Sequence, residues 1–250
     1  MRGNSGAELT FCGDYVIKHC KNASDQVKWF ELAAERLPND LIRLPYVEPI
    51  SNDSYRIEYI RGCSATQITS VQEFEKILNL VDHWGEQLPT NCPHWGDYLD
   101  RLHSHVSESD SKEMGEAYRL AEEYNFPGSF SHGDLTLENI LIQSDGQMVL
   151  IDPNFSEDLF QSWVLDYGKL LQSTHSDYHR VFNSSPGSDP APFLKCLWNH
   201  LERKGLLELA LVAELTHLMR LRKYRREKHE REMVDRLLVK TMQEIHDLTP

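Results

Sequence analysis

The 250 residues carry 26 Lys and Arg against 39 Asp and Glu, a formal net charge of −13, and 40% of them are hydrophobic. That balance argues against general nucleic-acid binding, which uses basic surfaces, and no apolar run approaches the roughly 20 residues of a membrane-spanning helix. The apolar share is enough for a sizeable core without metals. Five cysteines, Cys12, Cys20, Cys63, Cys92 and Cys196, are odd in number and show no C-x-x-C spacing. This speaks against a zinc site or a disulfide framework and for a reducing, cytoplasmic setting.

Residues 1 to about 60 read as strand-rich with one helix. Leu9 to Phe11 and Tyr15 to His19 are short strand candidates joined by the turn pair Gly13-Asp14. A helix follows, with Ser24 as its expected cap. It places Val27, Phe30, Ala34 and Leu37 on one face and stops at Pro38-Asn39. Tyr55 to Ile60 is a third strand candidate, ended by Gly62. From 63 to 125 the pattern turns helical: Val71 to Trp84, Trp95 to Val106 and Ser111 to Tyr124. Two apolar runs, Asn139 to Gln143 and Met148 to Ile151, then flank Ser144-Asp145-Gly146, which reads as a β-hairpin. From Val164 onward the chain is helical, interrupted by the proline-rich stretch 186–192.

The stretch Ser131-His132-Gly133-Asp134, Asn139, Ile151-Asp152 carries the chemistry. Asp134 and Asn139 lie in a loop that enters the hairpin, and Asp152 sits just past its second strand. The hairpin therefore brings Asn139 and Asp152 together at its open end. Two oxygen ligands there suit Mg²⁺, which takes carboxylates and carbonyls and shares its shell with substrate phosphates. Asp134 lies beside them, free to accept a hydroxyl proton. Phosphoryl transfer asks for this division between positioning and charge neutralisation.

These motifs resemble the catalytic loop and metal motif of the aminoglycoside phosphotransferase and choline kinase group, small-molecule relatives of protein kinases. The likeness extends to Leu165-Asp166-Tyr167-Gly168-Lys169-Leu170 and to the Asp152-Pro153-Asn154 that stands where protein kinases have Asp-Phe-Gly. With Ser173 to Tyr178, the pattern is also similar, more loosely, to phosphotransferases of bacterial surface-polysaccharide clusters. The resemblance implies an α+β, bilobal protein-kinase-like fold. Residues 1–62 would form a small, truncated, strand-rich nucleotide lobe, and 63–250 a mostly helical catalytic and acceptor-binding lobe. It further implies ATP or GTP with Mg²⁺ as cofactors and a small-molecule hydroxyl, such as a sugar or polysaccharide precursor, as acceptor. His132 and Asp166 would support the catalytic loop.

Such a protein needs a strand lysine to hold the phosphates and a helix glutamate to hold the lysine. Lys18 fits the first role. Glu31, among Val27, Phe30 and Ala34, is expected in the second, with Glu35 as fallback. Gly3, Ser5 and Gly6 would let backbone N–H groups approach phosphate. Only Met1 and Arg2 precede them, so the usual preceding strand is missing, the loop is minimal, or the native start lies upstream. Glu58-Tyr59-Ile60-Arg61-Gly62 matches the hinge whose backbone, at Glu58 and Ile60, would meet the base.

Two other readings remain. A protein Ser/Thr kinase would need an activation loop, and little room follows Asp152. A nucleotide-binding pseudokinase scaffold is argued against by the intact Asp134, Asn139 and Asp152. The basic stripe from Arg220 to Arg231 reads either as a solvated face paired with nearby glutamates or as a contact for an anionic acceptor or an acidic partner.

Overall fold

The computed structural model describes residues 7–37, 42–68, 70–87, 94–107, 111–178, 182 and 188–248. Packing divides the chain into two compact units: 1–67 with 132–158, and 68–131 with 159–250.

The first unit opens with β1 (Glu8–Cys12) and β2 (Tyr15–His19), paired antiparallel through the turn at Gly13, whose φ is +70°. Helix α1 (Ala23–Arg36) follows, then β3 (Val47–Ser51) and β4 (Ser54–Glu58). The four strands form one antiparallel sheet in the order β1-β2-β4-β3. The sequence does not predict strand β3, because it contains Pro49, which lacks an N–H to donate. A proline is tolerated in a sheet at an edge, and β3 is an edge strand. A second sheet joins β5 (Gly62–Ser64), β6 (Ile140–Gln143) and β7 (Met148–Leu150). Three residues of low β propensity give no sequence signal for β5. Gly62 is required there, since a Cβ would lie 2.4 Å from the Ile142 carbonyl oxygen.

The α1 face differs from the expected one. Ala23, Gln26, Val27, Trp29, Phe30 and Ala33 are buried, whereas Ala34 is exposed. Asn22, not Ser24, precedes the helix, and the Ser24 hydroxyl donates instead to the Asn52 carbonyl at 3.1 Å.

The second unit is helical: α2 (Val71–Gln87), α3 (Trp95–Ser107), α4 (Lys112–Glu122), α5 (Trp163–Thr174), α6 (Ala191–Lys204), α7 (Leu207–Tyr224) and α8 (Lys228–Leu248). Helices α3, α4, α5, α6 and α8 pack on α7, which is buried around most of its circumference. Gly168 lets α5 approach it, because a Cβ there would stand 2.7 Å from Ala213. Trp84 and Trp95 are core residues, as their amphipathic settings suggest. No helix among the described residues is long and apolar enough to cross a membrane.

Candidate active site

The site grows from the β6–β7 hairpin. Beyond the pair Ile140↔Leu150, the Ile151 N–H donates to the Asn139 carbonyl at 3.0 Å, extending the ladder by one step. Asn139 therefore stands beside Ile151, and Asp152 is the next residue out. Asp152 has φ +55°, a left-handed conformation that aspartate tolerates better than most residues but that still costs energy.

A second crossing fixes the loop before the hairpin. Gly133 has φ +76°, and a Cβ on it would lie 2.2 Å from the Asn154 carbonyl oxygen. The Asn154 N–H in turn donates to the His132 carbonyl at 2.9 Å. Only glycine allows the loop to pass this close to the residues after Asp152. His132 is fully buried, its Nε2 donates to the Ile151 carbonyl at 2.9 Å, and its ring meets Trp29 edge to face. Burial pushes its pKa down to about 4 against the smaller opposing pull of Asp134. It is neutral near pH 7 and braces the segment that leads from β7 to Asp152.

Asn139 reaches back: its Nδ2 donates to the Asp134 carbonyl at 2.8 Å and to Asp134 Oδ2 at 3.1 Å. With the amide nitrogen so engaged, its Oδ1 is turned away as an available acceptor. At Asp152, Oδ1 accepts from Lys18 Nζ at 2.6 Å, while Oδ2 meets no donor among the described residues, and the side chain is 46% exposed. One amide oxygen and one carboxylate oxygen thus remain, the oxygen-only donor set that suits Mg²⁺.

Lys18 itself is buried. The glutamate expected to hold it does not: Glu31 and Glu35 are both exposed on α1. The helix turns one step differently, and Gln26 takes the inward position. Its Oε1 accepts from the Tyr55 hydroxyl at 2.7 Å, and the Tyr55 ring lies 6.0 Å from Lys18 Nζ. A neutral amide so placed can orient the tyrosine but cannot neutralise the ammonium, so Asp152 is its charge partner. The sequence offers no signal for Gln26 until the register Lys18↔Tyr55 is known. Cys20 is also close; burial pushes its thiol pKa up, against Lys18.

At the expected hinge, the Glu58 carboxylate is not open to a ligand: Arg43 Nη2 donates to both of its oxygens at 2.5 and 2.6 Å, and the Tyr46 N–H donates at 3.1 Å. The Glu58 and Tyr59 N–H groups are bonded to the Tyr46 and Asp14 carbonyls. Ile60 has a buried side chain, and its N–H has no backbone partner among the described residues. Gly3, Ser5 and Gly6 lie outside the described residues. Asp166 stands fully buried in the first turn of α5, in the second unit.

Several solved structures share this fold. The aminoglycoside phosphotransferase APH(4)-Ia, in a complex with AMP-PNP and hygromycin B, matches over 98% of this chain and 94% of its own at 10% identity and TM-score 0.64. Choline kinase LicA from Streptococcus pneumoniae matches over 98% and 92% at 14% identity and TM-score 0.62. ADP-bound aminoglycoside phosphotransferase APH(2'')-Ib matches over 96% and 90% at 16% identity and TM-score 0.56. The chain has the protein-kinase-like fold of these small-molecule kinases. No protein-family model matches it, and no curated protein does so by sequence. Within this kinase-like fold, three members of the basic stripe make internal contacts. Arg222 is buried against Asp235 at 2.6 Å, Arg225 packs on Tyr178 and Phe182, and Lys228 faces Glu232.

Proposed function

We propose that this protein is an ATP- or GTP-dependent phosphotransferase that moves the γ-phosphate to a hydroxyl of a small molecule. The observation that carries the reading is the 2.6 Å contact of Lys18 with Asp152, beside an Asn139 held on Asp134. It gathers the four side chains that phosphoryl transfer requires within one compact unit.

Asp134 accepts a hydrogen bond from the acceptor hydroxyl and aims its oxygen. Asn139 Oδ1 and Asp152 Oδ2 would hold Mg²⁺, which neutralises phosphate oxygens when bound. Lys18 steadies the phosphates, and His132, neutral and buried, keeps the loop in place. Asp166 is proposed as a structural support residue, and the Ile60 backbone as a contact for the base. The proposed functional division assigns 1–62 to the nucleotide and 63–250 to catalysis and the acceptor. Residues 132–158 pack with the former.

Fold neighbours that include complexes with hygromycin B and a choline kinase support amino sugars, other sugars and amino alcohols as the acceptor classes to try first. The test is ADP release from Mg-ATP and Mg-GTP across aminoglycosides, choline, ethanolamine and free sugars. An acceptor-dependent rate that drops at least 100-fold in Asp134→Ala is expected. Turnover that survives this change would remove Asp134 from its role, and no turnover on any acceptor would count against the function.

A further inference from the structure

Arg43 follows α1 and carries no catalytic motif, yet it joins the two sheets of the first unit. Its main chain lies along β7: the Arg43 N–H donates to the Met148 carbonyl at 2.9 Å, and Arg43 forms a parallel bridge with Val149. Its side chain reaches the other way. Nη2 contacts both Glu58 oxygens, at the end of β4, and the Tyr46 N–H caps the same carboxylate. The Arg43 hydrogen bond and the Tyr46 N–H hold the Glu58 carboxyl below its usual range, against the cost of its partial burial. Charge-assisted contacts of this kind are shorter and stronger than neutral ones.

The connection has a geometric consequence. Lys18 stands on β2, directly across from Tyr55 of β4. Asp152 follows β7 by two residues. The first sheet therefore carries the lysine, the second carries the metal-facing aspartate, and Arg43 bolts β4 of one to β7 of the other.

We propose that the Arg43–Glu58 pair is a positioning device that sets the spacing between Lys18 and Asp152, and so aligns the nucleotide phosphates for transfer. This rests on the phosphotransferase reading above. Neither side chain touches the reacting atoms; Arg43 acts through β7, and Glu58 through β4. Breaking either partner loosens the same joint.

The test compares Arg43→Met, Glu58→Gln, the double variant and the charge-swapped Arg43→Glu/Glu58→Arg protein. Turnover, binding of a fluorescent ADP analogue and amide hydrogen exchange in segments 54–59 and 147–153 are measured on each. Each single change is expected to lower kcat at least tenfold and to speed exchange in both segments at least tenfold. Nucleotide Kd without Mg²⁺ should stay within threefold. The double variant should be no worse than either single one, and the charge swap should recover part of kcat. Additive losses, or exchange that rises only near the substituted residue, would overturn the pairing. A loss of Kd equal to the loss of kcat/KM would make Arg43 a ligand contact instead. If a single variant fails to fold, the charge swap still decides: a folded, active swap supports the joint, and a folded swap as slow as Arg43→Met rejects it. The exchange measurement needs no acceptor, so an absence of turnover in the unaltered protein would sink the functional reading and the alignment role with it, while exchange alone would still decide whether Arg43 and Glu58 form one joint.

Discussion

Gly133 concentrates several constraints in one residue. Its φ of +76° disfavours any side chain, and the Asn154 carbonyl occupies the place where a Cβ would go. Gly133→Ala should therefore cost at least about 2 kcal/mol, from left-handed backbone strain and displacement of residue 154. Urea unfolding measures the loss; a cost under about 0.5 kcal/mol would mean that the crossing relaxes freely. The spacing of His132, Gly133, Asp134, Asn139 and Asp152 was legible in the sequence because loop and hairpin are contiguous, and local spacing dictates their geometry. The partner of Lys18 was not legible. Whether Glu31 or Gln26 turns inward depends on where α1 meets the sheet, a rotation of the helix that a pattern of apolar residues defines only coarsely. Ala34, apolar yet exposed, pulled the expected face toward Glu31.

At the scale of elements, helix glycines separate into two kinds. Gly168 lies where α5 meets α7, and an added Cβ would press on the backbone carbon of Ala213 at 2.7 Å. Gly115 in α4 has nothing within 4 Å of that position. Gly115→Ala should raise stability by about 0.5–1 kcal/mol through helix propensity, while Gly168→Ala should lower it by more than that as the helices move apart. Thermal unfolding of the two variants checks both signs, and a stabilised Gly168→Ala would show that the helix contact is loose. The helices α2, α3 and α4 were readable because amphipathic periodicity is strong over three or more turns. Strands β3 and β5 were not: one contains a proline, the other is three residues long, and both exist only because a neighbouring strand pairs with them.

For the whole molecule, buried histidines shape the pH dependence, His132 and His217 on the acid side, where burial lowers both, and His175 on the alkaline side. His132 stays neutral in the fold down to about pH 4, whereas the unfolded chain protonates it near 6.5. Between those values the unfolded state binds more protons, so stability falls as pH falls from 6.5 to 4. His175 does the reverse. Glu214 and Glu244 flank its ring at 2.7 and 2.8 Å and, despite burial, raise its pKa to about 9. Its contribution is complete below pH 6.5 and fades as pH rises toward 9. Each effect is worth roughly 3 kcal/mol at most. Unfolding free energies should therefore peak near pH 6.5. Trp198, with its ring 6.1 Å from His175, offers a fluorescence signal for the alkaline limb. His175→Gln should flatten that limb; an unchanged slope would assign the loss to other groups.

The edge strand β3 carries one more consequence. Its outer residues Pro49, Ile50 and Ser51 are exposed, and its register slips between Pro49 and Ser51. An exposed edge with an open row of N–H groups invites another chain to add a strand, and Ile50 would make that contact adhesive. A proline and an irregular register are how natural sheets refuse such a guest. Pro49→Val would restore a donor beside Ile50, and light scattering should then show association that grows with concentration. The residue that hides β3 from a reading of the sequence would then also be the one that hinders strand addition along that edge.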